Sequence, residues 1–78
     1  DFLDLSSNNI YGPIPSSIED LDVLAFIYLF ENQFTGTIPK VKGFVEVMAL
    51  NQNQLEGPIP WEIFTTNLFS LALNDNFL

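Results

Sequence analysis

Seventy-eight residues, 47% of them hydrophobic, suffice for one small folded unit; the chain is too apolar for a disordered tail, yet it has no apolar run long enough to span a bilayer. Ten acidic residues against Lys40 and Lys42 leave a net charge of −8, which repels phosphate backbones and anionic lipid, so nucleic acid and direct membrane contact are poor readings. With no Cys and no His, disulfides, thiolate metal sites and the usual acid–base pairs of catalysis are missing, and no signal-peptide pattern opens the chain.

Along the chain, Leu3-x-Leu5 alternates apolar and variable residues, the period of a strand with one buried face. Asn8 follows where the chain must leave that strand. Gly12 suits a turn or a close approach, and Pro15 fixes the dihedral that opens the next segment. Ser16 with Glu19 three positions on reads as a capping box starting a short helical turn, with Ile18, Leu21 and Leu24 pointing inward. The same order then returns: a strand at Ile27–Leu29, Asn32, Gly36 and Pro39. The stretch after Pro39 is three residues shorter and holds Gly43, which predicts an irregular or extended connection. A third pass brings Met48–Leu50, Asn53, Gly57 and Pro60, and in the equivalent segment after Pro60 the corresponding residues are Ile63, Phe64 and Leu68. A fourth begins at Leu71–Leu73 and reaches Asn76.

The recurrence is an internal repeat, with the Asn shifting by 24, 21 and 23 residues from 8 to 32 to 53 to 76. Each pass is then one coil, and the strands stack in parallel about 4.8 Å apart. Leu3, Ile27, Met48 and Leu71 form one interior row, and Leu5, Leu29, Leu50 and Leu73 the next. An Asn side chain carries both donors and an acceptor, so Asn8, Asn32, Asn53 and Asn76 can serve the turn backbone that loses its sheet partners.

Leu3-Asp4-Leu5-Ser6-Ser7-Asn8-Asn9-Ile10-Tyr11-Gly12-Pro13-Ile14-Pro15 and its later copies resemble the plant-specific leucine-rich repeat, whose pattern runs LxxLxLxxNxLxGxIPxx. The Gly-x-Ile-Pro ending is the class-specific part. The resemblance implies an α/β fold, a right-handed leucine-rich-repeat solenoid with a concave parallel β-sheet and short 3-10, helical or irregular convex segments. It divides residues 1–78 into one array with repeats near 1–24, 25–45, 46–68 and a partial 69–78. Without polar capping repeats at either end, the array reads as part of a longer solenoid.

Function in this architecture is expected at the variable positions facing outward from the sheet. These are Phe2, Asp4 and Ser6, then Phe26, Tyr28 and Phe30, then Val47, Ala49 and Asn51, then Ser70, Ala72 and Asn74. Three aromatics on one strand beside small residues make a platform of the kind that dominates protein and peptide recognition. Phe26, Tyr28, Phe30, Phe2, Asp4 and Asn51 are the candidate ligand-binding residues. The carboxylates Asp4, Glu31 and Asp75 favour a ligand with positive charge, whereas Asn8, Asn32, Asn53, Asn76, Gly12, Gly36 and Gly57 are structural.

No enzyme is expected, since Glu19, Asp20 and Asp22 cluster on a convex turn where solvation accounts for them. No metal or cofactor is expected either: Asn74-Asp75-Asn76 lacks the Gly and distal Glu of a calcium loop. The resemblance implies a protein- or peptide-binding segment of a plant receptor-like kinase or receptor-like protein ectodomain, extracellular at the plasma membrane or in the apoplast, with a co-receptor as a further partner. The alternatives are a secreted inhibitor of a microbial cell-wall-degrading enzyme, of the polygalacturonase-inhibiting type, and an ice-binding protein. The aromatic stripe of the second repeat interrupts an ice-matching surface. No Asn-x-Ser/Thr glycan acceptor occurs, although ectodomains of this type often carry them.

Overall fold

Residues 2–21, 23–41 and 44–78 are described by a computed structural model; Asp1, Asp22, Lys42 and Gly43 lie outside them, as does the expectation placed on Gly43. Among the described residues six strands of three residues follow in chain order: β1 (Phe2–Asp4), β2 (Tyr11–Pro13), β3 (Phe26–Tyr28), β4 (Gln33–Thr35), β5 (Val47–Ala49) and β6 (Ser70–Ala72). β1, β3, β5 and β6 build a four-stranded sheet in that order, every pair parallel. Successive passes are therefore neighbours. The register sets Leu3 against Ile27, Ile27 against Met48 and Met48 against Leu71, as the repeat offsets require.

The strands lie one residue earlier than the alternation predicts. Inter-coil bonding nevertheless runs on past them, with Leu5, Leu29 and Leu50 N–H donating to the carbonyls of Tyr28, Ala49 and Ala72 at 2.9 Å each. Ile27 and Met48 of the first interior row and Leu50 of the next are fully buried. Leu3 and Leu5 belong to the first coil and are covered from one side only, which leaves Leu5 39% exposed. Burying a side chain of this size removes roughly 1.5–3 kcal/mol of unfavourable hydration, so the middle coils carry most of the stabilisation.

At the turn after each strand the backbone enters the left-handed region at the same place in every pass: Ser7 (φ 58°), Glu31 (57°), Gln52 (58°) and Asp75 (62°). Such a turn strands amide and carbonyl groups inside the stack, and the Asn that follows meets them. Asn53 Oδ1 accepts the Phe34 N–H at 3.0 Å, while its Nδ2 donates to the carbonyls of Leu29 and Leu50 at 2.9 and 3.1 Å. Asn32 does the same one coil earlier, accepting from Ile10 N–H at 2.9 Å and donating to Leu5 O at 2.8 Å. Each amide thus bonds its own turn and the coil before it, so it ties coils together as well as closing one.

The opposite side holds a feature the alternation does not reveal. β2 and β4 form a second, two-stranded parallel sheet, Tyr11 opposite Gln33 and Pro13 opposite Thr35. Gly12, Gly36 and Gly57 all have positive φ, at 91°, 79° and 84°; the first lies in β2, the second just after β4, the third at the matching place in the third coil. Past the Pro residues, two 3-10 helices cover the convex side, Ser16–Asp20 and Trp61–Thr65.

Three expectations about that convex side are corrected. Pro15 occupies the N-cap position and no side chain caps the first helix, so Ser16 and Glu19 do not form a capping box. The Glu19 carboxylate instead accepts the backbone N–H of Lys40, 2.9 Å away on the next coil. Leu21 is 49% exposed because the helix ends at Asp20 and the backbone turns at Leu21 to φ −90°, ψ 84°, while Ile18 and Leu24 are buried. Phe64 is exposed too: at three residues per turn it points about 120° from its fully buried neighbour Ile63. In the shorter second pass, Pro39, Val41 and Val45 fill the interior.

Candidate functional site

Residues paired in register on parallel strands project to one face, and so do residues two apart along a strand. Phe2 pairs with Phe26 and Asp4 with Tyr28, so β1 and β3 present a four-cornered patch. Three corners are aromatic and one is a carboxylate. The Phe26 and Tyr28 rings lie parallel within 5° with centroids 6.5 Å apart. Phe30 stands edge-on to Tyr28 at the same separation, its plane turned by 89°. Phe2, Phe26 and Tyr28 line an open depression of about 270 Å³.

The exposures divide the set. Phe2 is 68% exposed, whereas Phe26, Tyr28 and Phe30 are half-buried, each gripped by the neighbouring rings but open on the outward side. On the far side of the aromatic strand, Tyr28 pairs with Ala49 and Ala49 with Ala72, so the sheet drops to methyl groups. The rings therefore form a step beside a flat floor. Asn51 is half-buried at the end of that floor, and its carbonyl accepts the Glu31 N–H at 3.0 Å.

Asp4 is the anionic corner. Its Oδ1 accepts both the Ser6 hydroxyl and the Ser6 backbone N–H, the latter at 3.0 Å. These two donors, the hydroxyl first, hold its carboxyl below the ordinary aspartate value of 3.8. Glu31 and Asp75 are exposed on the turns that follow β3 and β6. Asp75 Oδ2 accepts a bond from Asn74 Nδ2 at 3.0 Å. Among the described residues no three acidic groups converge as a cation would need, and no helix is long and apolar enough to cross a membrane.

A second depression, about 220 Å³, lies against the last coil between Phe64, Leu68, Phe69 and Leu71. Helical spacing assigned Phe64 and Leu68 to the interior, so it stayed hidden in the sequence. The only hint was the density of Phe around Leu68.

Residues 1–21 match the family model described as Leucine Rich Repeat. Receptor-like protein 35 of Arabidopsis thaliana is 42% identical over 77 residues, covering 94% of this chain and 8% of that protein. Receptor-like protein 31 of the same plant is 39% identical over 79 residues, 94% of this chain and 9% of its own length. A probable LRR receptor-like serine/threonine-protein kinase, also from Arabidopsis thaliana, is 38% identical over 58 residues, 72% of this chain and 6% of the kinase. The chain thus spans less than a tenth of the curated relatives it matches.

Proposed function

Because the chain belongs to the plant-type leucine-rich-repeat proteins, we propose that it is part of the extracellular recognition surface of a receptor-like protein or receptor-like kinase, binding a peptide or protein on the outward face of its four-stranded sheet. The observation that carries this reading is the aromatic step of Phe26, Tyr28 and Phe30, with Phe2 and Asp4 beside it and an alanine floor beyond. Aromatic side chains held by their neighbours lose little entropy on binding and bring large contact areas, the usual profile of an interface centre.

The chemistry of such a segment is recognition alone. The sequence holds no His and no Cys, and the curated relatives are named as receptor-like proteins and receptor kinases. In a receptor kinase, phosphoryl transfer belongs to a separate domain, and a co-receptor completes the bound surface. The repeat array is read as passes 1–24, 25–45, 46–68 and 69–78, each contributing one strand to that face. Inhibition of a cell-wall-degrading enzyme draws support only from the acidic balance, which the receptor reading uses equally well.

Panning a random phage-displayed peptide library on the chain tests the reading. Enriched clones should lose binding to a Phe26→Ser, Tyr28→Ser, Phe30→Ser triple variant whose circular dichroism is unchanged. Clones that bind the triple variant equally well would remove this face from consideration.

A further inference from the structure

The four corners of the patch are unequal, and the inequality specifies a ligand group. We propose that Asp4, Phe2, Phe26 and Tyr28 form a subsite for an arginine side chain of the bound peptide, with the guanidinium lying across the aromatic rings and its donors directed to Asp4. This rests on the reading of the sheet face as a recognition surface and names the chemistry of one position in it.

Three observations converge on a cation with a flat, apolar body. Neighbouring strands place Asp4 about 4.8 Å from the Tyr28 position, and residues two apart lie about 6.6 Å from one another along a strand, so the patch matches one long side chain in size. The Phe26 and Tyr28 rings lie parallel within 5° with centroids 6.5 Å apart, so a planar cation stacked on one of them is parallel to both. Asp4 is fixed at its corner by Ser6 through Oδ1, and Oδ2 holds no partner among the described residues.

Charge complementarity selects the occupant. Among the described residues Lys40 alone is cationic, and it lies on the convex side, where its N–H meets Glu19. No cation of the described residues competes for Asp4, and Glu31 and Asp75 add negative potential to the same end of the sheet. Lysine would satisfy the charge but not the rings. A guanidinium is planar, weakly hydrated and forked, so it stacks and bonds a carboxylate at once.

The test is an NMR titration of the chain with acetyl-Gly-Gly-Arg-Gly-Gly-amide and with the same peptide carrying citrulline, the neutral isostere. The arginine peptide should shift the ring resonances of Phe26 and Tyr28 and bind about fivefold more tightly, the size expected for a cation over an exposed ring. Asp4→Asn should abolish the preference while the amide resonances of Asn32 and Asn53 stay in place, reporting an intact stack. Equal affinity for the two peptides, or a preference that survives Asp4→Asn, overturns the arginine subsite. A hydrophobic peptide, acetyl-Gly-Gly-Leu-Gly-Gly-amide, separates the two readings: if it shifts the same rings as strongly as the arginine peptide, the face still binds peptides and only the subsite fails. If none of the three peptides moves those resonances, subsite and recognition face fail together.

Discussion

Asn53 Nδ2 donates to the carbonyl of Leu29, 24 residues earlier, at 2.9 Å. The same side chain accepts the Phe34 N–H through Oδ1, so one amide closes a donor and an acceptor of the preceding coil. Asn32 and Asn76 repeat the arrangement against Leu5 and Leu50 at 2.8 and 2.9 Å.

Removing the Asn53 amide strands the Phe34 N–H and takes one of two donors from the Leu29, Leu50 and Asn51 carbonyls. Asn53→Ala should lower the unfolding free energy by about 2–3 kcal/mol, since unpaired buried backbone groups cost about 1–3 kcal/mol. Asn8→Ala should cost far less, because Asn8 is exposed and, among the described residues, its side chain bonds only the carbonyls of Leu5 and Ser6. Urea denaturation of the two variants checks the order; equal losses would show that the inter-coil bonds do not matter.

Gly57 and Gly36 share a positive φ, but a side chain at each meets different surroundings. A Cβ at Gly57 would sit 3.1 Å from Thr37 Cγ2, against 3.7 Å from Pro13 Cβ at Gly36. Both alanine variants should lose about 1–2 kcal/mol to the left-handed backbone, and Gly57→Ala should lose more. Adding Thr37→Ser to Gly57→Ala should close the gap. Identical thermal midpoints for the single variants would mean that Thr37 rotates aside without cost.

Along the interior rows, truncation should track position in the stack. Met48 is fully buried between two coils, so Met48→Ala should cost about 2–5 kcal/mol. The half-covered Leu5 should cost roughly 1 kcal/mol on the same change. Chemical denaturation measures both, and a Leu5→Ala loss as large as that of Met48→Ala would contradict the burial gradient.

Asp4 supplies a pH signature. Its carboxyl is held low by Ser6, so the folded chain binds this proton less readily than the unfolded one. The stabilisation is therefore complete above the ordinary value of 3.8 and fades as pH falls through the lower folded value. The carbon-13 resonance of the Asp4 carboxyl should titrate below 3.8, and Ser6→Ala should move its midpoint upward. An unchanged midpoint in Ser6→Ala would remove the hydroxyl as the cause.

The sheet was legible because four passes repeat the same apolar and Asn positions: the offset from Leu3 to Ile27 to Met48 to Leu71 is itself the strand register. The outward row of Phe26, Tyr28 and Phe30 followed from parity alone. What escaped was everything not set by period two. β2 reads as Tyr-Gly-Pro, residues that suggest a turn, and it becomes a strand only because Gln33–Thr35 lies beside it. Leu21 and Phe64 were placed inward on helical spacing, whereas the 3-10 segments are tighter and stop sooner. The carboxylate of Glu19 found a partner 21 residues away, which no local motif encodes.

A polypeptide leaves the ribosome N-terminus first, yet the first pass here is finished by Asn32, the second by Asn53 and the third by Asn76. A nascent chain stalled just short of Asn53 would leave the Phe34 amide to water and the Leu29 carbonyl with the Asn32 bond alone, however long the pause. Folding during synthesis is thus retroactive, each coil maturing only when its successor has emerged.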